Sequence, residues 1–115
     1  ASHELAGESR YLAAECRFRQ RRFEEVVQQL ASFSKDLPKH ACTPKALLKL
    51  AAACGELERW KECEGALSEF AKRSKDAEGA LEAELWRGRA VAARGDERGA
   101  KAAFEKVAAA DKGLF

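Results

Sequence analysis

The sequence predicts an all-α fold, a solenoid of three helical hairpins built from six antiparallel helices, and three observations predict it. The first is an internal repeat. Phe23, Val26, Leu30 and Phe33 recur 37 positions on as Trp60, Cys63, Leu67 and Phe70, and again as Ala100, Phe104 and Val107 for the last three. Upstream, Ala14, Ala51 and Gly88 fall in the same register. A period between roughly 20 and 50 residues is the signature of stacked repeats. The second observation is apolar spacing of three and four within each copy, which marks helices. The third is that no run alternates apolar and polar residues with the β-branched and aromatic richness of a strand.

A length of 115 residues suits one domain, residues 1–115, with repeats at about 3–38, 43–75 and 77–112. The net charge of +2 comes from interspersed signs, and no charged block resembles a nucleic-acid tail. No segment approaches the roughly 18 consecutive apolar residues of a membrane span. The chain opens Ala1-Ser2-His3 and has no methionine, as expected of a fragment of a longer polypeptide.

Element by element, the first helix is expected from about His3 to Gln20, with an apolar band of Leu5, Tyr11, Leu12, Ala13, Ala14, Cys16 and Phe18. The second runs from about Phe23 to Lys35, and Pro38 stops it. Thr43 as N-cap and Pro44 at the first helical position open the third, Pro44 to about Glu56, and Gly55 near its end is expected to make the turn. The fourth begins near Arg59 and fades into the polar run Lys72 to Asp76. The fifth spans about Ala77 to Arg94, Gly95-Asp96 turn the chain, and the sixth carries Ala100, Ala103, Phe104 and Val107 to about Ala110. The small residues Ala14, Ala51 and Gly88 should face Val26, Cys63 and Ala100.

One such hairpin buries a single face, worth roughly 1.5 to 3 kcal/mol per covered Leu or Phe. That is too little to offset the entropy of ordering its residues, so the hairpins must stack.

These residues resemble the tetratricopeptide repeat. Leu50-Ala51 look like its Leu-Gly pair, Trp60 like the aromatic opening its second helix, and Cys63 takes the close-packing alanine slot. Gly88, Gly95-Asp96, Ala100 and Phe104 fit in the third copy, and Ala14, Phe23, Val26, Leu30 and Pro38 in the first. Arg17 and Arg87 depart from the pattern, and the step exceeds the family's roughly 34 residues. In this respect the chain is similar to periplasmic members of bacterial envelopes, including those accompanying the Tol-Pal system.

The resemblance implies a right-handed solenoid that is a non-catalytic scaffold without cofactors, holding a peptide or helix of a partner protein on a concave face lined by the first helix of each repeat. The candidate contact residues are Tyr11, Glu15, Phe18 and Arg19; Lys45, Leu48, Lys49 and Ala52; and Leu85, Trp86 and Arg89. Tyr11, Leu48 and Trp86 also suit a purely structural role, sealing one repeat to the next. The family's carboxylate clamp for chaperone tails is disfavoured, because Tyr11, Glu15, Glu82 and Trp86 stand where it needs lysine, asparagine and further cations.

The alternative is a basic-patch module contacting nucleic acid or an acidic partner through Arg17, Arg19, Arg21 and Arg22 around Phe18 and Phe23. Flanking Glu15, Glu24 and Glu25 weigh towards a solvated helix end. His40-x-Cys42 and His3 fall short of the four convergent ligands zinc needs. Nothing resembles a phosphate loop or an acid–base pair, so no enzyme is expected.

Of the four cysteines, Cys54 and Cys63 occupy facing slots of the family's motif, where the helices come close, and are the candidate disulfide. Cys16 could compete for Cys54, and Cys42 should stay unpaired. The competing expectation is four packed or free thiols. A bridge would agree with an oxidising compartment such as the bacterial periplasm, and free thiols with the cytoplasm.

Overall fold

Seven helical segments account for the regular structure in the computed structural model, which describes residues 2–73 and 79–112, with side chains for residues 4–73 and 79–110. They are α1 (Ser2–Arg19), α2 (Phe23–Leu30), α3 (Phe33–Asp36), α4 (Thr43–Glu56), α5 (Trp60–Arg73), α6 (Ala80–Ala93) and α7 (Glu97–Lys112), and no strand occurs among the described residues. The expected start of a helix at Ala77, and the polar run beyond Arg73, lie outside the described residues, as does the side chain of His3.

The pairs α1–α2, α4–α5 and α6–α7 are joined by turns with one shared backbone pattern. The N–H of Arg22 donates to the Arg17 carbonyl at 2.9 Å, that of Arg59 to Cys54 at 2.8 Å, and that of Asp96 to Val91 at 3.0 Å. Between them, Arg21, Glu58 and Gly95 donate to Phe18, Gly55 and Ala92, each at 3.0 Å. Those same three residues take left-handed φ values of 62°, 59° and 91°. This is a Schellman motif repeated three times at the step of the sequence repeat. Because each turn is so short, the helices it joins run antiparallel and pack side by side.

Gly55 does not make the second turn. It lies inside α4, buried, while Glu58 supplies the left-handed residue. The reason for glycine at position 55 is steric: the indole of Trp86, from α6, occupies the space a Cβ would need.

The expected second helix is interrupted at Ala31-Ser32. Arg10 of α1 reaches this point: its Nε donates to the Gln29 carbonyl at 3.0 Å, a group that would otherwise accept the Phe33 N–H. Its other nitrogens bond Ser32 Oγ at 3.0 Å and Asp36 Oδ2 at 3.1 Å. Ser32 Oγ in turn donates to Asp36 at 2.9 Å, and these two partners hold the Asp36 carboxyl below its ordinary 3.8. Phe33 opens the next segment and is fully buried beneath Arg10. Thr43 does not cap α4 either, because its hydroxyl donates to the Leu37 carbonyl and fixes the preceding loop.

One apolar core joins α1, α2, α4 and α5, with Val26, Leu30, Phe33, Ala51, Cys54 and Cys63 fully covered and Leu67, Phe70 and Trp86 nearly so. All six small-residue positions expected to face one another are buried. At Gly88 the nearest neighbours are the Phe104 ring, 2.6 Å from where a Cβ would stand, and Ala103. Leu5 and Leu12 of α1, Leu81 of α6 and Phe104 of α7 are exposed, contrary to an inward apolar face; among the described residues no helix covers the outer sides of α1 and α7.

Candidate binding surface on the first helices

α1, α4 and α6 are the first helices of the three pairs. Each touches the next, α1 with α4 and α4 with α6. Beyond its own pair, α5 packs onto α6 and α2 onto α4 and the short α3, and α2, α5 and α7 make no contact with one another among the described residues.

At the junction of the first two pairs, Lys49 Nζ sits 4.6 Å from the Phe18 ring centroid, and Phe18 meets Phe23 edge to face at 5.1 Å. At the next junction Trp86 lies on Gly55 with its ring 6.5 Å from that of Trp60, and Arg89 lies 4.7 Å over the Trp86 ring. The two junctions correspond residue by residue: Phe18 to Gly55, Phe23 to Trp60 and Lys49 to Trp86. The bulky group comes from α1 in one case and from α6 in the other.

The candidate contact residues therefore divide. Leu48 and Trp86 are buried, Leu48 against Gly79 at the start of α6, and their side chains are committed to sealing the pairs together. Ala52 is buried as well. Arg19, Lys45 and Arg89 are exposed, while Tyr11, Glu15, Phe18, Lys49 and Leu85 are half-buried. Arg19 pairs with Glu15 at 3.0 Å within α1. Partial burial raises the Tyr11 phenol above its ordinary 10.0, and the carboxylates of Glu15 and Glu82 add to this.

The arginines of the basic cluster all have carboxylate partners within the chain, Glu25 serving two of them. Arg17 and Arg22 both pair with Glu25, at 3.3 and 2.7 Å, and Arg21 lies 3.7 Å from Glu56. Arg21–Glu56, Arg59–Glu24 and Arg94–Glu64, the last at 2.9 Å, tie one pair to the next. The sequence reading found none of these inter-pair contacts, nor the Arg10 network, because each depends on which helices become neighbours.

His40 is buried, and both its ring nitrogens are engaged. Nδ1 accepts the Cys42 N–H at 2.9 Å, so Nε2 carries the proton and donates to the Glu4 carbonyl at 2.9 Å. That is the bonding of a neutral histidine tying the 37–42 loop to α1. Among the described residues no group of three His, Cys, Asp or Glu side chains converges as metal ligands would.

All four cysteines are free thiols in this structure. Burial pushes the Cys54 thiol up to about 11, helped by Glu62, and the Cys63 thiol up to about 12, helped by the proximity of Cys54. Burial also raises Cys42, against a lowering by Lys45. No helix among the described residues is long and apolar enough to cross a membrane.

No family model, curated protein or solved structure matches the chain.

Proposed function

We propose that the chain is a non-catalytic scaffold, a right-handed solenoid of three tetratricopeptide-like repeats that holds a peptide or helix of a partner protein against the first-helix face. The observation that carries this reading is the asymmetry of contacts: α1, α4 and α6 touch in series while α2, α5 and α7 do not. Helices that adjoin on one side and splay on the other curve the stack, with the first helices on the inner side. Extents of 45 × 28 × 25 Å agree with a stack along one axis.

On that inner side the available side chains are Tyr11, Phe18, Arg19, Lys45, Lys49, Leu85 and Arg89, with aromatic and cationic groups of the kind that dominate binding hot spots. The nucleic-acid alternative would use Arg17, Arg19, Arg21 and Arg22, four cations set against three carboxylates of the chain, Glu15, Glu25 and Glu56; partner binding with a steep salt dependence would favour it. A periplasmic location is part of the same proposal and rests on the resemblance alone; the four free thiols lend it no support.

The test is capture of partners from cells of the source organism by the chain and by its Lys49→Glu and Arg89→Glu variants. Loss of a partner with either variant supports the first-helix face. Undiminished capture by both moves the site elsewhere.

A further inference from the structure

Away from the first-helix face, a groove of about 830 Å³ runs between α5 and α7 with α6 as its floor. The repeat explains why it exists. At the corresponding place in the first two pairs, the outer side of α4 carries Leu47, Leu50, Cys54 and Leu57, which pack into or against the core. One repeat later these positions are Glu84, Arg87, Val91 and Arg94. Three apolar side chains have become charged ones held in ion pairs, Arg87 with Glu84 at 2.7 Å and Arg94 with Glu64 at 2.9 Å. The exposed parts of the walls do not refill the space, since Leu67 and Phe70 of α5 are buried and what faces the opening includes the small Ser68 and Ala71 of α5 and Gly99 and Ala102 of α7.

The groove has a chemical bias. In both ion pairs the cation is the more open partner: Arg87 and Arg94 are each 58% exposed, against 16% for Glu84 and 32% for Glu64. Lys106 adds a further exposed cation to the rim. The α6 floor offers Ala83 and Val91, and Leu67 and Phe70 of α5 back its inner edge. Arg87 and Arg94 stand two helical turns apart, about 10 Å at 1.5 Å per residue. An incoming chain thus meets accessible positive charge along the length of the groove and apolar surface below it.

We propose that this groove is a second docking site, one that takes an acidic amphipathic segment of a partner protein, with its apolar side chains on the α6 floor and its carboxylates towards Arg87, Arg94 and Lys106. The mode is that of a helix laid into a groove, with acidic residues two turns apart. It is independent of the first-helix face, since Lys49 and Arg89 do not line it.

Selection of a displayed library of random sixteen-residue peptides on the immobilised chain tests this. Selected peptides should combine Asp or Glu with Leu, Ile or Phe. Their affinity should fall at least about tenfold with Ser68→Trp, which fills the groove from an exposed position, and with Lys106→Glu, and should be unchanged with Lys49→Glu. Circular dichroism establishes that each variant keeps its helices. Failure to select any peptide, enrichment of basic peptides, or binding indifferent to both groove variants would overturn the proposal. Peptides lost with Lys49→Glu but kept with both groove variants would also overturn it, while leaving the first-helix reading intact.

Discussion

Arg21 and Glu58 hold the same left-handed backbone conformation one repeat apart, with φ values of 62° and 59°. Gly95 completes the series at 91°. Only the third position uses the residue suited to it, because a side chain in this region costs roughly 1 to 2 kcal/mol. Glu58→Gly should therefore stabilise the chain by about 1 kcal/mol, and Gly95→Ala should destabilise it by about the same amount. Urea titration of the two variants checks both signs. Arg21 is the poorer choice for the experiment, as it also lies 5.3 Å over the Phe23 ring and near Glu56.

Gly55→Ala should destabilise the chain even though alanine favours helix, because the added methyl meets the Trp86 indole. Overpacking of this kind costs about 1 to 3 kcal/mol. The double variant with Trp86→Leu should show a smaller loss than the two single losses added together, as expected of residues in direct contact. Strict additivity in denaturant titrations would mean that the two do not touch.

Leu67 and Phe70 of α5, in the second helical pair, are each only 6% exposed. Leu67→Ala should cost about 2 to 5 kcal/mol. A loss under about 1 kcal/mol in a denaturant titration would show that the position is not core.

How much of this was legible in the sequence depends on the range of the interactions involved. Helix positions, the repeat and the middle-repeat core follow from local spacing, and α4, α5 and α7 begin within two residues of where the apolar pattern places them. The break after Leu30 does not, because Arg10, far away in sequence, takes the carbonyl that would have continued the helix. Gly55 misleads for a related reason: a glycine near a helix end is the usual turn cue, and its true partner, Trp86, lies in another pair. Periodicity identifies the apolar side of α1 but not whether a neighbour covers it, hence the exposed Leu5 and Leu12. At the candidate surface, the register separates first-helix residues from the rest. It could not separate the buried Leu48 and Trp86 from the open Lys45 and Arg89, which depends on how far the pairs interpenetrate. The left-handed series was visible in principle, since Gly95 marks a turn and positions 21 and 58 are its repeat equivalents.

The thiols should report the burial directly. Cys16 is exposed and Cys42 half-buried, whereas Cys54 and Cys63 are covered and raised from the ordinary 9.0 to about 11 and about 12. At pH 8 a thiol reagent should label Cys16 first and Cys42 next, leaving Cys54 and Cys63 unlabelled until the chain unfolds. The pH dependence has a definite sign. The folded chain keeps protons on Cys54 and Cys63 that the unfolded chain releases above about 9, so stability is at its full value below pH 9 and falls as pH rises towards 11 and 12. Replacing both cysteines by alanine should flatten that decline. Rapid labelling of all four thiols in the folded protein at pH 8 would contradict the burial.

The stacking of three equivalent hairpins is tested most directly by proton–proton contacts in solution, at the two junctions the repeat relates. Nuclear Overhauser spectra of the folded chain should show cross-peaks between the Phe18 ring and the side-chain methylenes of Lys49, and between the Trp86 ring and the Gly55 α-protons. Ring currents should shift the Lys49 and Gly55 resonances upfield. A folded, helical protein lacking both sets of cross-peaks would contradict the stacking, and with it the shared first-helix face.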